Sequence, residues 1–561
     1  MANDSPFRIL AGARTANPNF FSQDPVLRRL LPTLVSDRTW AWIAPQLDSM
    51  GAAAASEDTN RRSDIADKQS PVHRPYDANG NRIDAVDYHP AYHQLEELAY
   101  GSGMIGVKYD PELRAQYAGD LQVAGFALTY LFAQTECGLS CPACMTDGVA
   151  RLVELYGDDR QKRDYIPRLA ARTRDRLLRG AMFLTEKQGG SDVGANATRA
   201  VRHGDTWRLH GEKWFCSNVD AEAILILARP DGAADGTRGL GLFLMLRDLP
   251  NGERNAYRID RIKDKLGVRS MPTGEVTIEG AVAEPVGDLG RGFKQMAEML
   301  NLSRLYNAFC SVAIMRRSIF EATDYLRARN TFGRPAIEHP LVRENLADMN
   351  AEEIAAKHSV FRLAQQLDRA DAGSATDTHL VRILTPMLKY STAKLAVWCA
   401  SEGIELCGGN GYIEESVMPR MLRDAQVLPV WEGTTNILVL DTLRAAGKGA
   451  HEALFAATGE LLAGAESRSG SADDVARTRD LLAWTRRELA VIAGADHETA
   501  APRAKRWTDR ALLAYQLATL LATGDPIDRA AARRLMRRHV DPDIETSAED
   551  RALLVDATVV A

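Results

Sequence analysis

The chain has 561 residues, 45% of them hydrophobic and 26% charged, with a formal net charge of -6. Such a length exceeds one compact core and sets an expectation of roughly three or four domains. The composition excludes a largely disordered chain, and the charge excludes nucleic-acid binding by bulk attraction. No run of roughly 18 apolar residues occurs, so no membrane span is expected. Seven cysteines, behind a start "MANDSPFRIL" that lacks a secretory pattern, fit a reduced, cytoplasmic setting.

Residues 1 to 180 read as mainly helical. "LRRLLPTLV" and "HQLEELAYG" have helical apolar spacing, and "GVARLVELYG" closes on a glycine stop. The small, polar stretch "GAAAASEDTNRRSD" (51–64) is expected at the surface. "RPYDANGNRIDAVDYHP" (74–90) holds the turn dipeptide Asn79-Gly80 and predicts a hairpin. Next comes "CGLSCPAC" (137–144), whose Cys137, Cys141 and Cys144 have the spacing of a cluster-binding loop. Small apolar residues of a helix would give the same letters, and no metal is expected.

The character changes at residue 181. "TWRLHGEKWF" and "GEVTIEGAVAEPVG" alternate, while "AILILAR" and "LGLFLMLRD" are short apolar runs between glycine turns. These predict a β domain over 181–290. Long helical patterns return over 291–445, and an arginine-richer helical part fills 446–561.

Four stretches carry candidate chemistry. "FLTEKQGGSDVGANATRA" (183–200) begins the β region, and Gly189 and Gly190 permit close approach of a ligand. Its Ser191, Asp192 and exposed amides suit an anion or a polar ring edge, or else the segment is a surface hairpin. "GEKWFCSN" (211–218) sets an aromatic pair beside Ser217 and Asn218, either as a flat wall for a planar cofactor or as an amphipathic strand. In "RNTFGRPAIEHPLV" (329–342), Arg329 is a fixed cation for phosphate or a balance for a helix dipole. "ELCGGNGYIEESVMPRMLRDAQVLPVWEGTT" (405–435) is a long compound pattern of glycine pairs, acids and arginines that chance explains poorly.

"LTEKQGGSDVGA" and "GGNGYIEESVMPRMLRD" resemble the two signature segments of the acyl-CoA dehydrogenase family. "RNTFGRP" resembles its RxxFGxP segment and "WEGTT" its YEGT turn, and order and spacing agree over roughly residues 90–445. Within that family, "NFFSQDPVL", the 74–90 hairpin, "TEKQGGSD", "KWFCS" and Glu405 resemble the AidB-like branch of alkylation-response flavoproteins. The resemblance implies a multidomain chain, mainly α with a central β-barrel domain, plus an extra C-terminal helical domain. Its parts would be 1–180, 181–290, 291–445 and 446–561.

The same resemblance implies bound FAD and oxidation of an acyl-CoA thioester to its α,β-enoyl form. Glu432 would be the base and Arg304 its support. Some relatives carry the base just before the position of Arg304, but Leu302 and Ser303 stand there. A glutamate among Trp431 and aliphatic side chains is poorly solvated, which makes its anion a stronger base. The family stabilises the developing thioester oxyanion with the backbone N–H at this glutamate and a ribityl hydroxyl of the flavin. Leu184, Thr185, Ser191, Phe215 and Ser217 would contact the flavin and its pyrophosphate. Arg329, Phe332, Glu405 and Gly409 would reach the FAD of a neighbouring subunit, and Trp431, Thr434 and Asn436 would complete the site. Glu405 departs from the pattern, because most relatives have glutamine beside this phosphate-bearing cofactor. A homotetramer and an electron-transfer flavoprotein partner are further implications.

DNA association is a separate reading. Arg477 to Arg538 carries 13 Lys/Arg and 7 Asp/Glu, and Arg503, Arg506 and Arg510 share one helical face, as do Arg529, Arg533 and Arg537. Over 441–561, however, acids outnumber bases 19 to 17, which fits a solvated helix surface. In this alternative the dehydrogenase chemistry is vestigial.

Overall fold

A computed structural model describes residues 18–204, 206–467 and 472–557. The start read above for a secretory signal lies outside the described residues. The chain forms two compact units, one of residues 1–56, 119–135 and 307–561, the other of 57–118 and 136–306.

The second unit is built around a seven-stranded sheet. Its strands are β3 (Gly180–Phe183), β4 (Arg199–His203), β5 (Thr206–Ser217), β6 (Ala223–Pro230), β7 (Gly241–Leu246), β8 (Tyr257–Ile262) and β9 (Thr273–Pro285). The pairings run β6–β4–β5–β9–β7 and return from β7 to β6, with β3 beside β6 and β8 beside β9. β6 lies parallel to β3 and β4 and antiparallel to β7. β6 and β7 are buried along almost their whole length, which is why they read as unbroken apolar runs. β5 alternates because only one side meets the core of Phe183, Ile224, Ile226, Phe243, Ile259 and Ile278.

The hairpin of β1 (Val72–Tyr76) and β2 (Arg82–Asp87) turns at Gly80, where φ is +81°. It is tied to the sheet: Asp84 accepts from the Ile259 N–H at 3.2 Å, and Arg82 donates to the Ile259 carbonyl at 2.7 Å. The stretch 51–64 corrects the surface expectation. It closes the helix Asp37–Ala55 and forms most of the helix Glu57–Lys68, and Gly51, Ala54, Ala55 and Ser63 are buried. Alanines packed on a helix are indistinguishable by composition from alanines in a loop.

The first unit is helical. Its long members are Pro340–Asp371, Ala375–Cys407, Ala450–Glu466, Ala472–Ala493 and His497–Thr523, joined by the later part of Gly292–Ala328. The helix Leu121–Ala133 is buried on all sides. Its first amides, at Gln122 and Val123, donate to the Asp368 carboxylate at 2.9 and 3.1 Å. Burial pushes the Asp368 carboxyl up to about 7, against those two hydrogen bonds. No helix among the described residues is long and apolar enough to cross a membrane.

Candidate active site

In the sheet unit, the loop after β3 is held by a buried charge. Glu186 accepts from the Ala197 and Thr198 amides, the Thr198 hydroxyl and Lys213 Nζ, the last at 2.8 Å. Burial raises its pKa, but Lys213 and these donors outweigh it and hold the carboxyl at about 2. Lys213 is itself fully buried, and burial lowers its pKa despite Glu186. The carboxylate thus contributes stability above its ordinary value of 4.5, and that stability is lost as pH falls toward 2.

This pair fixes the neighbours predicted to contact a flavin. Lys213 Nζ lies 3.4 Å and Asn196 Nδ2 3.2 Å from the Leu184 carbonyl, and the Trp214 amide donates to the Thr185 carbonyl at 2.9 Å. A Cβ on Gly190 would sit 2.7 Å from the Thr185 hydroxyl, so any larger residue there would have to displace the Thr185 side chain. Ser191 is exposed. At the end of β5, Phe215 is 54% exposed, and the Ser217 hydroxyl lies 3.4 Å from that of Thr273. Lys213→Met should cost about 2 kcal/mol, the worth of a charged hydrogen bond, because Glu186 keeps four other donors, from Gln188, Ala197 and Thr198. The check is the denaturation midpoint at neutral pH.

In the helical unit, Arg329 donates to the Tyr325 hydroxyl at 3.0 Å, and Asn410 donates to the same oxygen at 2.9 Å. A Cβ on Gly408 would lie 3.6 Å from the Arg329 guanidinium, and one on Gly409 would meet nothing. The Arg329 segment and the glycine pair therefore form one corner. Glu405 and Gly409 are exposed beside it. Phe332 is 98% exposed and has φ of +51°, an uncommon backbone for an aromatic residue.

Glu432 follows Val430 and Trp431 at a tight reversal, with φ of +57°, and Gly433 continues at +102°. A left-handed conformation costs a non-glycine residue about 1–2 kcal/mol, so packing must impose it. Two buried side chains do so. Asn307 Nδ2 donates to the Leu428 carbonyl at 3.1 Å. Lys389 Nζ donates to the carbonyls of Trp431 and Gly433 at 2.6 and 2.7 Å. Glu432 Oε2 is sheltered from solvent, and so is Trp431 Nε1, which makes no hydrogen bond. Thr434 caps the helix Thr435–Ala446 without a side-chain bond, and Thr434 and Asn436 are exposed.

Arg304 lies in the sheet unit, half-buried, with Nη1 3.3 Å from Asn301 Oδ1 of the same helix. Cys137, Cys141 and Cys144 stand on one helix, Cys137–Tyr156, with Cys137 and Cys144 buried. Among the described residues no group of three or more histidines, cysteines or acids is arranged to hold a metal.

Sequence reasoning passed over Glu186, Lys213, Asn307 and Lys389. For Lys389 a signal existed. It is the one cation within the mostly apolar run "ILTPMLKY", on a face where its neighbours at helical spacing, Thr385, Pro386, Thr392 and Ala393, carry no charge.

Three family models match the chain. These are the AidB N-terminal domain of the adaptive response protein over residues 12–176, the acyl-CoA dehydrogenase middle domain over 181–281, and the acyl-CoA dehydrogenase C-terminal domain over 290–447. Acyl-CoA dehydrogenase family member 11 of Caenorhabditis elegans is 38% identical over 438 residues, spanning 76% of this chain and 70% of its own. The AidB protein of Escherichia coli (strain K12) is 36% identical over 420 residues, spanning 73% and 75%. The crystal structure of Caenorhabditis elegans ACDH-11 in complex with C11-CoA superposes with a TM-score of 0.86 at 31% identity, covering 97% of this chain and 92% of that one.

Proposed function

Starting from a chain that belongs to the acyl-CoA dehydrogenase family, in its AidB-like branch, we propose that Glu432 takes the α-proton of an acyl-CoA thioester. The chain is an FAD-dependent oxidoreductase of acyl-CoA dehydrogenase type. The observation that carries the reading is the Glu432 loop. A strained carboxylate, sheltered at one oxygen, is held by two buried side chains next to a glycine that leaves the backbone open.

The residues present fit the cofactor. Trp431 Nε1 is a buried donor in need of an acceptor, Gly409 leaves its surroundings open, and the 184–198 loop is fixed by Glu186 and Lys213. Leu184, Thr185, Ser191, Phe215 and Ser217 would hold the ring and pyrophosphate. Trp431, Thr434 and Asn436 of the helical unit are proposed as further FAD contacts. Arg329, Phe332, Glu405 and Gly409 would serve a neighbouring subunit's FAD, and the Phe332 ring, 98% exposed, is available for such a contact. A homotetramer is the assembly we propose for it.

Bound FAD supplies the acceptor for the hydride that leaves the β-carbon. The chain does the rest. Glu432 carboxylate receives the α-proton, so that the Cα–Cβ bond becomes the enoyl double bond as both hydrogens depart. The Glu432 backbone N–H faces the thioester oxygen as charge develops there. Arg304 supports the substrate or the carboxylate. C11-CoA, bound by the relative above, supports a substrate among acyl-CoA thioesters. Electron-transfer flavoprotein is the electron acceptor we propose, and the cytoplasm the setting, in line with the cysteine usage of the sequence. The closed circuit of strand pairings is read as the family's barrel, with parts at 1–180, 181–290, 291–445 and 446–561.

The DNA reading finds less support. Arg503 pairs with Glu488, Arg533 with Asp474, Arg534 with Glu344 and Asp348, and Arg538 with Asp348 and Glu352. Arg506 and Arg510 lie over the Trp484 ring. A phosphate backbone would have to displace these contacts. The deciding experiment is anaerobic titration of the purified holoprotein with a panel of thioesters. At least one should bleach the flavin, and bleaching by none would reject the dehydrogenase reading.

A further inference from the structure

Lys389, fully buried on the helix Ala375–Cys407, is the cation that reaches the candidate loop. Its ammonium donates to the Trp431 carbonyl at 2.6 Å and the Gly433 carbonyl at 2.7 Å. These two carbonyls flank Glu432. The first belongs to the peptide group whose N–H is that of Glu432 itself. No peptide bond among the described residues is cis, so this C=O and N–H point in opposite directions. A cation fixing the carbonyl on one side therefore fixes the N–H to the other side.

The bond does more than orient. A hydrogen bond from a charged donor is about twice as strong as a neutral one, and drawing electron density toward the carbonyl oxygen makes the N–H of the same amide a better donor. The second bond, to Gly433, holds the peptide on the far side of Glu432. Together they explain how a glutamate is kept at φ of +57°, where its backbone alone would not stay. Asn307 fixes the approach to the loop at Leu428, three residues earlier than the Trp431 carbonyl.

We propose that Lys389 is a positioning residue that aims and polarises the Glu432 N–H toward the thioester oxygen through the Trp431 carbonyl. The proposal rests on the reading of Glu432 at the reacting centre. It concerns the backbone donor, not the carboxylate, and the two are separable by experiment.

The test uses the FAD-loaded protein with an enoyl-CoA carrying ¹³C at its thioester carbonyl, read by isotope-edited infrared difference spectra. In the unaltered protein the carbonyl stretch should lie below its frequency in water. Lys389→Met should lose half or more of that shift and reduce kcat about 10- to 100-fold, less than the full loss of an oxyanion donor. KM should change far less, and bound FAD should be unchanged. Lys389→Gln, which keeps neutral amide donors, should fall between the two, and it takes over the comparison if the methionine variant does not retain flavin. Glu432→Gln should keep the carbonyl shift while losing turnover. If Glu432→Gln still turns over, the assignment of the base fails and the carbonyl comparison still stands. An unshifted carbonyl in the unaltered protein, or a shift in both Lys389 variants as large as in the unaltered protein, would overturn the proposal.

Discussion

Glu432→Gln should leave a yellow protein that no acyl-CoA thioester bleaches. The amide keeps the volume and the backbone of the glutamate, so Lys389 and Asn307 still have their carbonyl acceptors at Trp431, Gly433 and Leu428. What disappears is the ability to accept a proton from the α-carbon. A positioned general base is worth about 10²- to 10⁴-fold, and α-protons of thioesters are weakly acidic. The expected loss in kcat is at the top of that range, about 10⁴-fold. Binding of the thioester should survive, because it depends on contacts along the whole ligand. The measurement is stopped-flow absorbance of the flavin under anaerobic conditions, with FAD content determined on the same sample. Bleaching at the unaltered rate would remove Glu432 from the mechanism.

This expectation rests on the family resemblance, whose motifs are local in the sequence. "WEGTT" is contiguous, and a glutamate before a glycine can be read without knowing the fold. β6 and β7 were legible for a similar reason: strands buried on both faces are continuous apolar runs. The supporting groups were not. Lys389 is 42 residues from Trp431, and Asn307 is 121 residues from Leu428. Their role depends on which helix faces the loop, which no local pattern encodes. Glu186 and Lys213 are 27 residues apart and both stood within quoted motifs, yet their pairing required β5 to lie beside the loop after β3. The stretch 51–64 failed in the opposite direction. Its composition is that of a loop, and helices formed because Gly51 and the alanines pack closely, with a Cβ at Gly51 reaching 2.3 Å from Asn19 Oδ1. The arginine stripe was visible as periodicity, but periodicity does not reveal the acids that face Arg503 and Arg533.

Lys357→Met should be the most damaging single change to stability outside the reacting centre. Lys357 is fully buried and donates to both Asp24 carboxylate oxygens, at 2.8 and 2.6 Å, and lies 2.9 Å from Glu353. Tyr130 adds a hydroxyl at 2.9 Å to Asp24, and Arg316 stands 3.6 Å away. Asp24 also caps the helix Pro25–Leu30 by accepting from the Leu27 amide, so this network anchors the start of the described chain to the helix Pro340–Asp371. Removing the cation leaves two buried carboxylates facing each other, and breaking such a pair costs about 3–5 kcal/mol. The pH dependence has a definite sign. Burial raises the Asp24 pKa, but Lys357 and Arg316 outweigh it and bring it to about 2, below the ordinary 3.8. Its contribution is therefore complete above 3.8 and lost as pH falls toward 2. Glu353, raised mainly by burial, acts in the opposite sense and softens that loss. Denaturant midpoints from neutral pH down to pH 3 should show the acid loss in the unaltered protein and its absence in Lys357→Met. Asp24→Asn added to Lys357→Met should cost less than Asp24→Asn alone, since the charge it removes has already lost its partner. Simple addition of the two losses would mean that Asp24 and Lys357 stabilise the fold independently.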